Sequence, residues 1–390
     1  MKGWRPLRPT FSGFGFVLPV LFLLFFADAC GSRPAAEVKT GAGTSTAGFH
    51  SVVIEDHTLT LPDGFTISRW VSGRGGLRMM AVTGDGYLLV TEMDKGNVLA
   101  FRLADRQPEA VTVVSGLENP SGIAVQAGFV YVAETSKITR YQYFGNGKIG
   151  AGEVIVPDLP ADGEHITRTI GVGPDNRLYV TVGSSCNVCK EDDPRRAAMS
   201  RYNLDGSGGR VIATGLRNTV GFTWQPGSGQ IWGVDNGRDN LGDNLAPDEV
   251  NVIQPGRNYG WPYCFGDRVA DPAFSGKEGF CRASEPPVLE LQAHSAPLGL
   301  RFLADPSWPL AWQGNLFIAF HGSWNKTVPT GYKVVRVDDA HRVSDFITGW
   351  LDESTGQAWG RPVDIIFATG KMYISDDSSG SIYEVRKIGA

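Results

Sequence analysis

The sequence lacks both a long hydrophobic run and an excess of positive charge. Its apolar run from Phe16 to Ala27 has 12 residues, whereas a membrane-spanning helix needs about 18 or more. The formal charge is −5 over 390 residues, which argues against general binding to nucleic acid or to an anionic membrane, since both need a net basic surface. A GxSxG elbow, a Walker loop and an HExxH helix are also missing, so serine-hydrolase, nucleotide-phosphate and zincin chemistry have no motif support. A small neutral or polar ligand fits this composition better.

The first 30 residues have the layout of an export signal. Lys2, Arg5 and Arg8 precede the apolar run, which predicts a signal peptide over residues 1–30. The letters ADACG at its end, in which the aspartate is unusual, resemble a bacterial lipoprotein cleavage site, so lipidation at Cys30 and simple cleavage both stay open. Residues 31–57 are predicted to be a flexible tether, because the segment is rich in small and polar residues without periodicity. We therefore expect an exported protein, periplasmic or lipid-anchored at the bacterial envelope, with membrane contact only through Cys30.

Cysteine is scarce, with five in the whole chain. Without Cys30, four remain, and an even number in an oxidising compartment predicts two disulfides. Local pairing is the simplest of the three possible connectivities. It would join Cys186 to Cys189 and Cys264 to Cys281, and a zinc site made of four thiolates is the alternative. Haem attachment is disfavoured because the CNVC motif is not followed by histidine.

Glycine, proline and aromatic residues are abundant instead. The chain has 50 glycines, 23 prolines and 11% aromatics, which favours many short strands and turns over helices and predicts an all-β fold. A unit of period-two strands joined by glycine-rich turns recurs six times. Because radial packing buries both faces of such units, residues 58–390 are predicted to form a six-bladed β-propeller. The units cover residues 76–102, 119–142, 167–185, 218–237, 297–324 and 361–385.

Two polar motifs stand directly before predicted inner strands. His165 precedes the third unit, where a neutral imidazole near its ordinary pKa of about 6.5 could accept a proton from a hydroxyl group. Arg217 and Asn218 precede the fourth unit, where a guanidinium could hold a carboxylate and an amide could donate and accept. The alternatives are a histidine satisfied within a loop and an arginine that binds loop carbonyls.

A long acidic loop follows the fourth unit. Its crowded oxygen ligands suit Ca²⁺, although their spacing is not that of an EF-hand and a solvated acidic loop is the alternative. Cationic groups also recur near the strand ends of later units, namely His294, His321, Lys326 and Arg361. In a propeller such groups would converge on one mouth of the central channel. The acidic residues of the loop are Asp235, Asp239, Asp243, Asp248 and Glu249.

The order of these motifs resembles the soluble quinoprotein sugar dehydrogenases, the glucose/sorbosone dehydrogenase family. The resemblance runs from about Leu59 to Ile388 and is carried by HITRTIGVGPDNRLYVTVG, GLRN, DEVNVIQPGRNYGWP and GRPVDI. The pieces SSCNVC, YGWPYC, APLGL and HGSWN further resemble the L-sorbosone dehydrogenase-like branch. The resemblance implies a six-bladed propeller that binds pyrroloquinoline quinone (PQQ) with Ca²⁺ at its channel.

The resemblance also implies roles for particular residues. His165 matches the catalytic base, which would take the hydroxyl proton of an aldose or related sugar aldehyde while hydride passes to the quinone, and which also borders the cofactor. The remaining cofactor-binding positions are Arg217, Asn218, Lys326 and Arg361. Gly237 and Arg238 match positions whose backbone carbonyls hold the calcium that touches the cofactor, whereas Glu249 and Tyr259 match ligands of a structural calcium. An electron acceptor that the sequence does not identify would complete the reaction.

Two positions depart from the family pattern. Ser184 stands where the glucose oxidisers of the family have an aspartate, and GRPVDI lacks one arginine of the usual RxRDV. A propeller that binds a sugar or a protein without catalysis, and a calcium-dependent lactonase, are therefore the alternative functions.

Overall fold

The computed structural model describes residues 48–389. The predicted signal peptide, the predicted lipidation site at Cys30 and the first part of the tether lie outside these residues. Within residues 48–389, no helix is long and apolar enough to cross a membrane. Almost every regular element in this range is a β-strand, so the all-β prediction is confirmed.

The strands are short and follow one another at tight turns. The first fifteen are β1 Phe49–Ile54, β2 His57–Pro62, β3 Phe65–Val71, β4 Leu77–Val82, β5 Tyr87–Glu92, β6 Asn97–Arg102, β7 Val111–Val114, β8 Gly122–Gln126, β9 Phe129–Ala133, β10 Ile138–Gly145, β11 Lys148–Val156, β12 Arg168–Val172, β13 Leu178–Val182, β14 Ala198–Tyr202 and β15 Arg210–Thr214. The others are β16 Thr219–Trp224, β17 Ile231–Asp235, β18 Asp248–Ile253, β19 Cys264–Phe265, β20 Val269–Ala270, β21 Leu289–Leu291, β22 Pro297–Phe302, β23 Leu316–Phe320, β24 Lys333–Val337, β25 Val343–Ile347, β26 Leu351–Asp352, β27 Gln357–Ala358, β28 Pro362–Ala368, β29 Lys371–Asp376 and β30 Ser381–Lys387. One short helix, α1 Glu278–Ala283, and two 3-10 segments, Met93–Lys95 and Leu310–Trp312, are the helical elements described.

These strands form six four-stranded antiparallel sheets, which are the blades of a propeller. In blade order they are β4-β5-β6-β7, β8-β9-β10-β11, β12-β13-β14-β15, β16-β17-β18-β21, β22-β23-β24-β25 and β28-β29-β30-β3. The first strand of each blade contacts the first strands of both neighbouring blades, so the six inner strands form a closed ring. The predicted six-bladed propeller is therefore confirmed.

The ring is closed by a strand from the opposite end of the chain. β3 pairs with β30 and becomes the outer strand of the sixth blade, with Phe65 opposite Lys387. This pairing completes the sixth blade with a strand from the start of the described chain and so joins the two ends of the propeller.

The predicted tether is wrong for its last residues. β1 and β2 form an antiparallel hairpin with Phe49 opposite Pro62, and Leu59 and Leu61 of β2 are fully buried. They pack in an aromatic cluster that includes Trp350. The apolar alternation of HTLTLP thus docks this hairpin onto the propeller, and the ordered part begins before residue 58.

The cores lie between neighbouring blades, and the inner strands approach one another closely. A Cβ placed on Gly221 of β16 would lie 1.8 Å from the carbonyl oxygen of Leu298 on β22. Only glycine fits this crossing, because any side chain would have to displace the neighbouring backbone. Tight packing of this kind fixes where each inner strand begins, and hence where the residues before it lie.

Two disulfides brace the insertions next to the fourth blade. Cys186 is bonded to Cys189 in the loop between β13 and β14, and Cys264 is bonded to Cys281 in the long insertion between β18 and β21. The predicted local pairing is confirmed, and the alternative of a four-thiolate zinc site is excluded because all four sulfurs are used.

Candidate active site at the channel mouth

His165 lies in the segment that leads into the inner strand β12. Its Nδ1 lies 2.8 Å from the backbone oxygen of Ser184 and 3.0 Å from the Ser184 Oγ, which itself donates to the Cys186 carbonyl at 2.7 Å. A carbonyl can only accept, so Nδ1 carries the proton and Nε2 has the free lone pair. Among the described residues Nε2 has no hydrogen-bond partner. The serine that replaces the expected aspartate therefore still orients the ring.

The imidazole is a weaker base than the sequence suggests. Burial, and next the positive charge of Arg217, lower the pKa of His165 to about 4. A buried imidazole loses the hydration of its charged form, and a nearby guanidinium adds repulsion. The expectation of a base near the ordinary pKa is corrected, and His165 is neutral throughout the physiological range.

A buried arginine fixes the backbone around His165. Arg168 is fully buried and donates to the carbonyls of His165 at 2.8 Å and Thr167 at 2.7 Å and to the carbonyl of Pro160. Because three carbonyls of one segment accept from one guanidinium, the backbone conformation of the segment before β12 is fixed.

Arg217 is bound by the loops around it. Its Nε and Nη2 donate to the backbone and side-chain oxygens of Asn187 at 3.0 and 2.9 Å, its Nη1 donates to the carbonyls of Asn236 and Gly237 at 3.1 and 3.0 Å, and Nη2 lies 3.5 Å from Asp239. These contacts use all five N–H donors of a guanidinium. These contacts fit the alternative of an arginine that binds loop carbonyls, and the cofactor contact of Arg217 stays a prediction. Only the planar face of Arg217 is left for a ligand.

Asn218 lies next to His165. A Cβ on Gly183 would lie 2.6 Å from the Asn218 Oδ1 and 2.7 Å from the Cβ of His165, so both side chains flank this glycine. The backbone N–H of Asn218 donates to the buried Asp235 at 2.7 Å. Within residues 48–389 its side-chain amide makes no hydrogen bond, which leaves it available to a ligand.

Lys326 and Arg361 reach the mouth from the fifth and sixth blades. The Nζ of Lys326 makes one long contact, 3.5 Å to the Ala293 carbonyl. Arg361 donates to the carbonyls of Gly322 at 3.1 Å and Ser323 at 3.3 Å, and its guanidinium lies over the Tyr332 ring at 4.8 Å. Lys326 thus keeps free donors, whereas Arg361 is largely used to hold the loop after β23.

The two predicted carbonyl ligands of calcium follow β17. The Gly237 carbonyl accepts from Arg217, so a cation bound to it would meet the guanidinium at close range. This disagrees with the predicted calcium ligand at Gly237. The Arg238 side chain binds both oxygens of the buried Asp271 at 2.8 and 3.0 Å, and its carbonyl remains a predicted ligand.

Glu249 and Tyr259 both border a small cavity beneath this turn. Burial, and next the charge of Asp235, raise the pKa of Glu249 to about 8. Its two oxygens accept only from Gly266 N–H at 2.7 Å and Asn251 Nδ2 at 3.0 Å. The Tyr259 phenol donates to the Val252 carbonyl at 2.6 Å and accepts from a backbone N–H. The phenol oxygen of Tyr259 is therefore satisfied, and only its backbone could bind a metal.

The residues at this cavity fit a bound cation. The cavity has about 20 Å³ and is bordered by Asp235, Asn236, Glu249 and Asp271 among others, which is room for about one water or ion. The Asn236 Oδ1 is buried without a partner, and the described residues supply no ion-pair partner to Glu249. Glu249 and Asn236 offer oxygens of the kind that Ca²⁺ prefers, whereas Asp271 is paired with Arg238, and Arg217 and Arg238 also border the cavity.

The mouth of the channel also fits an anionic quinone. His165 Nε2, the Asn218 amide and the Lys326 ammonium keep hydrogen-bonding capacity there. A larger cavity of about 750 Å³ between the inner strands contains none of the predicted site residues. The polar groups with spare capacity therefore lie outside that cavity.

Sequence reasoning did not identify Asn187 or Asn325 as part of the site, and it named Asp235, Asp239, Asp248 and His294 without their partners. Asn187 and Asp239 bind Arg217, and Asn325 donates to Asp239 at 2.7 Å from the fifth blade. His294 lies 3.7 Å from the same carboxylate. Asp235 and Asp248 are buried supports, which accept from backbone N–H groups of Asn218 and Gly237 respectively. The motifs CNVC and HGSWN contained the signal for Asn187 and Asn325, but no spacing rule pairs residues 52 or 86 positions apart in the chain.

Fold and site together define a six-bladed propeller whose ligand site, with a neutral histidine, lies at one mouth of the central channel. A family model described as TrAA12-like matches residues 59–388. The chain belongs to this family, which confirms the resemblance to quinoprotein sugar dehydrogenases.

Individual relatives agree with the assignment. The chain is 32% identical over 349 residues to an uncharacterized protein of Borreliella burgdorferi, covering 84% of this chain and 90% of that protein. It is 26% identical over 295 residues to the pyrroloquinoline quinone-dependent pyranose dehydrogenase of Coprinopsis cinerea, covering 57% of this chain and 40% of that longer protein. A calcium structure of a Trichoderma reesei enzyme of carbohydrate-active family AA12 superposes with a TM-score of 0.76 at 23% identity, covering 87% and 99% of the two chains. This last likeness shows the fold.

Proposed function

We propose that the protein is a PQQ-dependent dehydrogenase that oxidises an aldose or a related, sorbosone-like sugar aldehyde, with Ca²⁺ as a second cofactor and His165 as the base. One observation carries the proposal: a neutral histidine at the channel mouth is held at Nδ1 and has its Nε2 free. The family match and the relatives named for PQQ support the cofactor.

Each residue at the mouth has a separate role in the proposed reaction. Bound PQQ would supply a two-electron oxidant. Nε2 of His165 accepts the proton of the sugar hydroxyl as hydride leaves the carbon, and Ser184 keeps the ring in the tautomer that this requires. Asn218 and Lys326 offer donors to carboxylates and to developing negative charge. The Asn236–Glu249 cavity would hold the calcium ion.

An exposed tryptophan gives the mouth a surface for a sugar ring. Trp324 is 77% exposed, yet both of its neighbours are fixed at the site. The Ser323 carbonyl accepts from Arg361, and the Asn325 amide donates to Asp239. An indole held in this way can stack on the apolar face of a pyranose, as aromatic side chains with one polar and one apolar aspect commonly do at binding sites. We propose Trp324 as the sugar platform.

The protein would act outside the cytoplasm. Two disulfides in the described residues fit an oxidising compartment. Together with the predicted signal peptide, they support export to the periplasm, and lipidation at Cys30 is the proposed form of attachment.

The function is tested by reconstitution. The purified protein is supplied with PQQ and Ca²⁺, and reduction of an artificial electron acceptor is followed across a panel of aldoses and sugar aldehydes. We expect sugar-dependent turnover that His165→Ala abolishes while PQQ still raises the melting temperature. The proposal fails if PQQ neither stabilises the protein nor supports turnover with any sugar. Hydrolysis of lactones with Ca²⁺ and without quinone would assign the lactonase function instead.

A further inference from the structure

The disulfide loop between β13 and β14 reaches into the site through one residue. Cys186 and Cys189 close a short ring that presents Asn187, and all three residues are half-buried. The backbone carbonyl of Asn187 accepts from Arg217 Nε at 3.0 Å, and its Oδ1 accepts from Arg217 Nη2 at 2.9 Å. Asn187 therefore receives two of the five N–H donors of Arg217.

The same side chain also binds Asp239. Its Oδ1 accepts from the Asp239 backbone N–H at 2.8 Å, and its Nδ2 donates to the Asp239 carbonyl at 3.1 Å. The whole amide of Asn187 is thus spent on residues that belong to the fourth blade. This is the pattern of a group that sets the position of others, since none of its side-chain bonds supports its own blade.

The disulfide ring is also linked to His165, through its first residue, Cys186. The Cys186 carbonyl accepts from Ser184 Oγ at 2.7 Å, and Ser184 holds Nδ1 of His165. One covalently closed loop therefore contacts the partner of His165 and, one residue later, Arg217.

We infer that Asn187, presented by the Cys186–Cys189 ring, is a positioning residue that holds Arg217 and Asp239 in place relative to His165. Without its side-chain amide, the buried Arg217 would keep the Asn187 backbone carbonyl but lose the acceptor of Nη2, and the guanidinium would turn towards others. The guanidinium would then no longer lie where it acts on the imidazole, and Asp239 would lose the bonds that fix its backbone.

The inference rests on the proposed function for its activity readout, so the experiment has a second readout that needs no quinone. Histidine side chains labelled with ¹⁵N report the titration of His165, assigned by comparison with His165→Gln. The charged groups acting on this ring are Arg217, Asp239 and Arg196. Because the charge of Arg217 holds the pKa of His165 down, displacement of Arg217 moves the midpoint of the titration upwards.

Asn187→Leu removes the amide at nearly the same size. We expect kcat to fall at least tenfold and the His165 midpoint to rise. Asn187→Asp keeps the acceptor for Arg217 and for the Asp239 N–H, so it should restore most of the turnover. Cys186→Ser combined with Cys189→Ser opens the ring but keeps Asn187 and should lower kcat by an intermediate factor.

The matched control is Asn203→Leu. Asn203 is a half-buried asparagine in the turn after β14 of the same blade, and its side chain bonds Ser207 at 2.7 Å, away from the mouth. It should change neither readout. An unchanged His165 titration and unchanged kcat in Asn187→Leu would overturn the role of Asn187, and full activity in the double cysteine variant would overturn the role of the ring. If the wild-type protein shows no quinone-dependent turnover, the proposed function fails, and the titration still decides the inference.

Discussion

At the scale of single residues, the substitution of serine for aspartate at position 184 decides the charge of the base. A carboxylate beside Nδ1 would stabilise the imidazolium, whereas the serine hydroxyl and carbonyl orient the ring without adding charge. The neighbouring Arg217 and the burial of the ring then dominate and lower the pKa of His165 to about 4. His165 therefore stays neutral even in mildly acidic solution.

This predicts an unusually low acid limb in the pH profile. His165 must be deprotonated to accept a proton, so kcat/KM should stay level as the pH falls to about 5 and decline towards pH 4. Ser184→Asp places a negative charge beside Nδ1 and should move the acid limb upwards by about one to two pH units.

The control for this prediction is Ser184→Ala, which removes the hydroxyl and keeps the backbone carbonyl that accepts from Nδ1. Ser184→Ala should shift the acid limb of the pH profile less than Ser184→Asp does. Circular dichroism checks that each variant folds, since Ser184 is fully buried. An acid limb that stays in place in Ser184→Asp would show that His165 is not the group that titrates.

A second prediction at this scale concerns Trp324. Loss of a stacking face worth about 1.4 kcal/mol corresponds to a tenfold weaker interaction. Trp324→Ala should therefore raise KM for the sugar about tenfold with little change in kcat, and Trp324→Phe should retain most of the affinity. Phe144→Ala is the control, because Phe144 is 68% exposed at the β10–β11 turn of the second blade. A weaker binding of PQQ with an unchanged KM would assign Trp324 to the cofactor instead.

The sequence predicted where the site residues lie better than it predicted what they bind. His165, Asn218 and Lys326 are at the mouth because they stand next to strands whose positions the period-two pattern defines. The partners of Arg217 were not predictable, since Asn187 and Asp239 lie in two irregular loops whose conformations depend on a disulfide and on each other. Tyr259 shows the same limit, because its hydroxyl donates to the Val252 carbonyl near the end of the preceding strand β18.

At the scale of elements, the inner strands owe their spacing to glycines at the crossings. Gly221 faces the Leu298 carbonyl at a distance that excludes a Cβ. His165 stands shortly before β12, the inner strand of the third blade, and Arg217–Asn218 stand directly before β16, the inner strand of the fourth blade. A shift of either inner strand would therefore also shift the site.

Gly221→Ala should therefore be destabilising. Overpacking of a close crossing costs about 1–3 kcal/mol, and the added methyl here meets backbone that cannot rotate away. Chemical denaturation measures the loss. Gly84→Ala is the matched control, because a Cβ at Gly84 meets no atom within 4 Å and should change the free energy of unfolding little. Equal stability of the two variants would contradict the assigned packing.

The elements themselves were largely predictable, and the closure of the ring was not. Six units could be counted because each is local: alternating residues, a turn, and a return strand. The outer strand of the last blade comes from β3, and pairing between Phe65 and Lys387 leaves no mark in either local pattern. For the same reason, β1 was mistaken for part of the tether over residues 31–57, since a strand this polar on one face is recognised only by the surface it covers.

At the scale of the whole molecule, the propeller concentrates buried carboxyl groups at one end of its fourth blade. Asp235, Asp248 and Glu249 are all buried there, and burial raises the pKa of each. Backbone N–H groups satisfy the two aspartates, whereas Glu249 borders the small cavity with the unpartnered Asn236 Oδ1. A protein that keeps such a cluster gains stability when a cation binds, since binding to the folded state alone shifts the unfolding equilibrium.

We therefore expect Ca²⁺ to raise the melting temperature of the chelator-treated protein by several degrees, equivalent to about 2.7 kcal/mol at a hundredfold excess over its dissociation constant. Glu249→Gln should fold normally, because the glutamine oxygen can accept from Gly266 N–H and its amide can donate to the unpartnered Asn251 Oδ1. It should lose most of the calcium effect, since it removes a charged ligand. Glu134→Gln is the control: Glu134 is also fully buried and accepts from a backbone N–H and a side-chain donor, but it lies in the second blade. A calcium shift that survives in Glu249→Gln would place the ion elsewhere, with the carbonyl of Arg238 as the next ligand to test.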